Sequence, residues 1–176
     1  METFALTYVD QRPSLLIVED DDTNRETLKR IFSKEAFEVQ VAADGEEGLD
    51  IVRNSVVHVV LSDLMMPKMD GLDLLKTVKT LQPDIDFILI TAFGTVERAV
   101  EAMKEGAYDF ITKPFKRAEV LGRVRRAMEK QHLLIENRRL RERLAGVDRE
   151  TMIVGRSAAI RSVLELVEQV APSTAT

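Results

Sequence analysis

Seven residues stand out for the chemistry their side chains could do. Glu19, Asp20, Asp21 and Asp22 form an unbroken acidic run directly after the apolar stretch Leu15–Val18. Asp63 follows the apolar stretch Val56–Leu61, Thr91 follows Ile85–Ile90, and Lys113-Pro114 follows Tyr108–Ile111. Taken singly, each has an ordinary explanation. The acidic run could cap a helix N-terminus, since carboxylates are favoured there. Asp63 could be a turn residue, Thr91 a strand end and Lys113 a solvated lysine. Brought together they mean something else, because neighbouring carboxylates repel one another and need a cation. A set of oxygen donors favours a hard ion such as Mg²⁺, which usually keeps several of its waters. The two histidines, His58 and His132, have no partner at ligand spacing, which argues against zinc. His58 reads as a packed strand residue.

The elements that must position these residues follow from the hydrophobic pattern. Strands are expected at Leu15–Val18, Phe37–Ala42, Val56–Leu61, Ile85–Ile90 and Tyr108–Ile111. Helices are expected at about Thr23–Ser33, at Asp44–Arg53, at Asp70–Leu81 before Pro83, at Thr95–Lys104 before Gly106, and from about Lys116 onward. Near-continuous apolar strands imply burial on both faces, and strict alternation with helices implies a parallel sheet. Right-handed crossovers then give an open α/β doubly wound sheet of five strands. In such sheets ligands sit beyond the carboxyl ends of the strands. Those ends carry the acids, the hydroxyl and the ammonium.

Composition narrows the class. The 176 residues include no Cys, so thiolate metal sites, thiol catalysis and disulfides are excluded. No apolar run approaches the roughly 18 residues of a membrane span, and METFALTYVDQRP has neither the basic start nor the long apolar stretch of a secretory signal. The expectation is a soluble, cytoplasmic protein. The net charge of −5 is unevenly spread: residues 1–115 balance at −10, residues 116–143 at +6 and residues 144–176 at −1.

Four blocks carry a family resemblance: LLIVEDDDTNR (Leu15–Arg25), SDLMMPKMDG (Ser62–Gly71), ITA (Ile90–Ala92) and GAYDFITKPF (Gly106–Phe115). In order and spacing they resemble the receiver domain of two-component response regulators, over about residues 14–130, a resemblance that implies the flavodoxin-like strand order 2-1-3-4-5. The resemblance implies that Asp63 is the phospho-acceptor. It also implies that Asp20 and Asp63 ligate Mg²⁺ with the backbone carbonyl of Met65, and that Glu19 holds the ion through water. Many relatives have Asp where this chain has Glu19. Lys113 is implied to pair with phosphoryl oxygens and Thr91 to hydrogen-bond them. Thr91 and Phe110 become the switch pair, and the Lys113-Pro114 bond is expected to be cis. Asp63 would take its phosphoryl group from a cognate sensor histidine kinase. The bulky Met65 and Phe93 stand where the family admits hydrolytic water, which predicts a long-lived phosphoryl group.

From Lys116 to Leu144 there is no Pro and one Gly, so the last helix is expected to outrun the domain. Leu133, Asn137, Leu140 and Leu144 follow 4-3-4 spacing, a coiled-coil seam with one polar position that fixes register. Val120, Val124 and Ala127 form a second stripe in a shifted register. A homodimer is expected through this linker, through the face of the fourth helix, fifth strand and fifth helix, or both. Without aromatics or a helix-turn-helix pattern after residue 115, no direct nucleic-acid contact is expected. Residues 151–176, with ENRRLRERL before them, resemble the linker and opening of the AAA+ ATPase domain in sigma-54-dependent, nitrogen-regulatory-protein-C-like transcriptional activators. The expected organisation is a tail at 1–13, a receiver at 14–130, a coiled-coil linker at 131–150 and the start of an ATPase domain at 151–176, cut before its nucleotide-binding motif. Contact with sigma-54 RNA polymerase would then need further domains.

Three other classes compete. An aspartate-nucleophile phosphatase would want a second Asp two residues after Asp63, where this chain has Met65. A nucleotide or flavin fold would want a Gly-rich first turn, where this chain has acids that repel phosphates. A constitutive coiled-coil scaffold would leave the acidic pocket inert. The receiver reading makes the chain a self-phosphorylating acceptor and not an enzyme.

Overall fold

The structure, a computed structural model, describes residues 13–92 and 96–150, excluding the side chains of residues 96–97 and 144–150. Most of the tail, Phe93, the helix start at Thr95, the Leu144 side chain and the 151–176 segment therefore lie outside the described residues.

The elements alternate without exception: β1 (Ser14–Val18), α1 (Asp22–Phe32), β2 (Glu38–Ala42), α2 (Gly45–Asn54), β3 (Val59–Asp63), α3 (Gly71–Leu81), β4 (Asp86–Thr91), α4 (Val96–Lys104), β5 (Asp109–Thr112) and α5 (Arg117–Glu150). The five strands form one sheet in the order β2-β1-β3-β4-β5, and every pairing is parallel. Successive strand residues point to opposite faces. Leu16, Val18, Val60, Phe87 and Leu89 pack under α2, α3 and α4. Leu15, Ile17, Leu61, Ile88 and Ile90 pack under α1 and the first part of α5. Burial on both faces is what made β1, β3 and β4 read as unbroken apolar runs.

Two strands end later than their apolar runs do. β3 runs from Val59 to Asp63, so Asp63 is its last residue and pairs with Ile90. Val56 and Val57 lie before the ladder, and Val57 is buried without pairing. β4 likewise ends on Thr91, which pairs with Thr112. Parallel hydrogen bonding thus reaches the polar residues themselves and fixes their directions, which a loop would not do.

His58 precedes β3, half-buried, and its Nδ1 accepts a hydrogen bond from the Ser14 N–H at 3.0 Å. Burial holds this imidazole below its ordinary pKa of 6.5. The unfolded chain therefore binds more protons in the window below 6.5. The stability that neutral His58 contributes is present in full above that value and is lost as pH falls through the folded-state value. Urea midpoints measured from pH 7.5 to 5.5 should fall further for the wild type than for His58→Gln, whose side-chain oxygen can still accept. Parallel curves would show that His58 is not responsible.

The chain divides into two units, residues 1–134 and 135–176. In the first, α5 contributes Val120, Val124, Ala127, Met128 and Gln131 to the buried side. Several of its basic groups have acidic partners elsewhere in the fold. Arg125 makes a bidentate pair with Glu35 at 2.8–2.9 Å, Arg123 pairs with Asp109 at 2.5 Å, and Lys130 pairs with buried Asp86 at 2.6 Å. The positive segment thus neutralises part of the acidic body. In the second unit, α5 continues to Glu150, with Leu140 half-exposed. Among the described residues no helix is long and apolar enough to cross a membrane.

Candidate functional site

The turn after β1 splits the acidic run into separate jobs. Asp21 is the N-cap of α1, its side chain accepting from the Asn24 N–H at 2.7 Å. Asp22 pairs with Arg25 on the first turn of the helix. Glu19 is turned inward and is 1 % exposed, whereas Asp20 is exposed. Capping and site-building, posed as alternatives by the sequence, are therefore both true of different residues in one run. Arg25 steadies the turn by donating to the Glu19 carbonyl at 2.7 Å, and Asn24 donates to Glu19 Oε1 at 3.3 Å.

The carboxyl ends of β1 and β3 bring Glu19, Asp20 and Asp63 together, with a carboxylate oxygen from each lying within 4.8 Å of the others. Lys113, one residue beyond β5, reaches in between. Its Nζ donates to Glu19 Oε1 and Oε2 at 3.2 and 3.1 Å and to Asp63 Oδ2 at a shorter distance. Lys113 is held there by its own N–H, which donates to the Thr91 carbonyl at 2.7 Å, and the Lys113-Pro114 bond is cis. The Asp63 side chain also accepts from the Met65 N–H at 3.2 Å through Oδ1. Thr91 is buried on the neighbouring strand, and its hydroxyl donates to the Ala92 carbonyl at 3.3 Å. Phe110 is half-buried on β5 beside Leu89.

The electrostatics follow from this crowding. Burial pushes the Glu19 carboxyl above its ordinary value of 4.5, the Asp63 charge pushes the same way, and Lys113 and Asn24 counter only in part. Burial alone would lower the Lys113 ammonium. The hydrogen bond and charge of Asp63, with those of Glu19, outweigh that and hold it above its ordinary value of 10.5. Three carboxylates against one ammonium leave a formal charge of −2, which one divalent cation would balance. The donors are all oxygen, as a hard cation such as Mg²⁺ prefers. The residues present fit that ion.

The sequence-based site residues fall into place unevenly. Glu19, Asp20, Asp63, Thr91 and Lys113 converge from the ends of four strands. Met65 lies beside Asp63 with an exposed side chain. Leu133 and Leu140 are half-exposed and Asn137 is exposed on α5. Two site features went unread in the sequence. Gly71 opens α3 so close to β3 that its N–H donates to the Leu64 carbonyl at 3.0 Å, and a side chain there would meet the backbone of Asp63. The glycine of the PKMDG run was the available signal. Arg98 on α4 reaches both Met65 Sδ and Asp70, and nothing in its sequence neighbourhood announces that.

Compared with known proteins, the chain matches the response regulator receiver domain family over residues 15–125. It is 33% identical over 159 residues to the C4-dicarboxylate transport transcriptional regulatory protein DctD of Rhizobium meliloti, covering 90% of this chain and 35% of that protein. It is 37% identical over 166 residues to the DctD of Pseudomonas aeruginosa, covering 92% and 35%. A crystal structure of NtrX from Brucella abortus superposes with a TM-score of 0.69 at 32% identity, covering 93% of this chain and 35% of that one. A receiver domain protein from Clostridium thermocellum gives 0.66 at 30% identity, covering 69% and 98%. The chain thus spans about a third of the length of the curated relatives it matches.

Proposed function

The chain belongs to the response regulator receiver family, and from that premise we propose that it is a phospho-accepting switch in which Asp63 takes a phosphoryl group from a sensor histidine kinase. The observation that carries this reading is Lys113 seated between Glu19 and Asp63, with Asp20 completing a tight carboxylate cluster. A carboxylate is a poor nucleophile toward an anionic donor unless the charge at phosphorus is neutralised and donor and acceptor are aligned.

In the proposed transfer a carboxylate oxygen of Asp63 attacks phosphorus. The bond between phosphorus and the kinase's histidine nitrogen breaks, and that nitrogen keeps the electron pair. Lys113 moves its ammonium from the Asp63 carboxylate to the phosphoryl oxygens. Asp20, Asp63 and the Met65 carbonyl would hold Mg²⁺ directly, and Glu19 through water. When bound, the ion neutralises charge on the transferring group. The Met65 N–H, which donates to Asp63 Oδ1, keeps that carboxylate oriented.

The product adds roughly −1.5 to −2 charge and strong acceptor oxygens, by analogy with phosphorylated hydroxyls. Thr91 would turn its hydroxyl from the Ala92 carbonyl toward those oxygens, and Phe110 would move into the space vacated. That makes a two-state element biased by a local charge, read out on α4, β5 and α5. The exposed Leu133 lies about 200° around α5 from buried Gln131, at 100° per residue. A seam of Leu133, Asn137, Leu140 and Leu144 would pair with a second copy, and Leu133, Asn137 and Leu140 are exposed on the helix. In the full-length protein, such a dimer would govern an AAA+ domain that activates sigma-54-dependent transcription, and the kinase partner puts the protein in the cytoplasm.

Incubation with acetyl phosphate and Mg²⁺ tests the reading. Expected are label at about one phosphoryl group per chain and its loss on omitting Mg²⁺. Continuous phosphate release would instead indicate a phosphatase, and no label at all an inert scaffold.

A further inference from the structure

We propose that Arg98 is a positioning residue that sets how long the phosphoryl group survives on Asp63, by pinning the side chain of Met65. This inference rests on the acceptor reading above. Arg98 lies on α4, away from the carboxylate cluster, and its guanidinium makes a fork. Nη1 donates to Met65 Sδ at 3.0 Å, and Nη2 donates to Asp70 Oδ2 at 2.5 Å. The other Asp70 oxygen, Oδ1, caps α3 by accepting from the Leu72 and Asp73 N–H groups at 3.0 and 2.9 Å. The Asp70 carboxyl is well anchored: burial would raise it, but those N–H bonds and Arg98 outweigh burial and hold it below its ordinary value of 3.8.

Arg98 therefore joins both ends of the loop that leaves the acceptor strand. At one end is Met65, whose N–H holds Asp63 Oδ1 at 3.2 Å. At the other is the cap of α3. A flexible thioether that is half-exposed would ordinarily sample several rotamers. A donor at its sulfur and an ionic anchor behind that donor remove that freedom.

Hydrolysis adds a water oxygen to phosphorus and breaks the bond between phosphorus and the Asp63 oxygen. The carboxylate is restored and inorganic phosphate leaves with the water's protons. The attacking water must approach opposite Asp63, past the residues bordering it. A pinned Met65 obstructs that approach, and a freed one does so less.

Acetyl phosphate-loaded protein, stripped of donor, gives the test as a phosphoryl half-life. Arg98→Ala should shorten it roughly three- to tenfold. Asp70→Asn, which keeps a capping oxygen but loses the ion pair, should shorten it less. Met65→Ala should shorten it as much as Arg98→Ala does, and the double variant no further, because Arg98 acts through Met65. In the unphosphorylated protein the Met65 methyl NMR signal should change from a fixed to an averaged environment in Arg98→Ala. An unchanged half-life in Arg98→Ala, or additive effects in the double variant, would overturn the proposal while leaving Asp63 as acceptor. Absence of label in the wild type would overturn the acceptor reading and this role with it.

Discussion

Lys113→Ala should take up phosphoryl groups from acetyl phosphate at least about a hundredfold more slowly than the wild type. Lys113 is the one ammonium that contacts both Glu19 and Asp63 in the described structure. Its removal deletes a donor aimed at the place where charge develops, an effect typically on the order of 10²–10³ in rate. It also leaves buried Glu19 facing Asp63 without a counter-charge. Breaking a buried ion pair by deleting one partner costs about 3–5 kcal/mol when the remaining charge stays ionised, less here because the Lys113 side chain is 26% exposed. The variant can escape part of that cost by protonating Glu19, whose pKa already lies above 4.5. A raised carboxyl contributes stability that is present at low pH and lost as pH rises through that window. Urea titrations should therefore show Lys113→Ala more destabilised at pH 8 than at pH 5, with Mg²⁺ restoring stability but not the uptake rate. A variant that labels at the wild-type rate would remove Lys113 from the chemistry.

Among the described glycines, Gly71→Ala should be the most damaging added methyl. A Cβ at position 71 would collide with the Asp63 carbonyl oxygen and lie 2.9 Å from Leu64 Cα and from Leu89 Cδ2. Two of those neighbours are backbone, one of the acceptor residue itself and one of the residue after it, and cannot yield cheaply. Overpacking of this kind costs about 1–3 kcal/mol or more, and here the strain is delivered to the acceptor itself. The expected result is a thermal midpoint several degrees lower together with reduced phosphoryl uptake. Gly122→Ala is the matched control: no atom lies within 4 Å of its added methyl. Replacing a helical glycine there should stabilise by up to about 1 kcal/mol without touching uptake. Equal effects at the two positions would show that the close approach at Gly71 is not what matters.

Hydrophobic pattern made the five β/α cycles legible, because β1, β3 and β4 are buried on both faces and each helix carries its own apolar stripe. The site residues were legible for the same reason: an open parallel sheet presents its ligands at the strand ends, and the polar residues sat there. Finer features depend on what the fold brings near. Nothing local separates Asp20 from Asp21, yet one joins the carboxylate cluster and the other caps α1. Val56 and Val57 look like strand, but pairing begins at Val59, which moves Asp63 onto the ladder. The ion pairs of Arg123, Arg125 and Lys130 on α5 were not legible because Asp109, Glu35 and Asp86 are distant in sequence and adjacent only in space. Arg98 was invisible for that reason too, with Met65 and Asp70 respectively 33 and 28 residues away.

The central claim is that the side chain of Asp63 carries the phosphoryl group. Acetyl phosphate-treated protein, reduced with borohydride and digested, tests it directly by mass spectrometry, since reduction converts an aspartyl phosphate to homoserine. Homoserine at position 63 is expected in the wild type with Mg²⁺. It should be absent without the ion and absent in Asp63→Ala. Aspartate left intact at position 63 in protein that demonstrably carries label, or conversion at Asp20 instead, would contradict the claim.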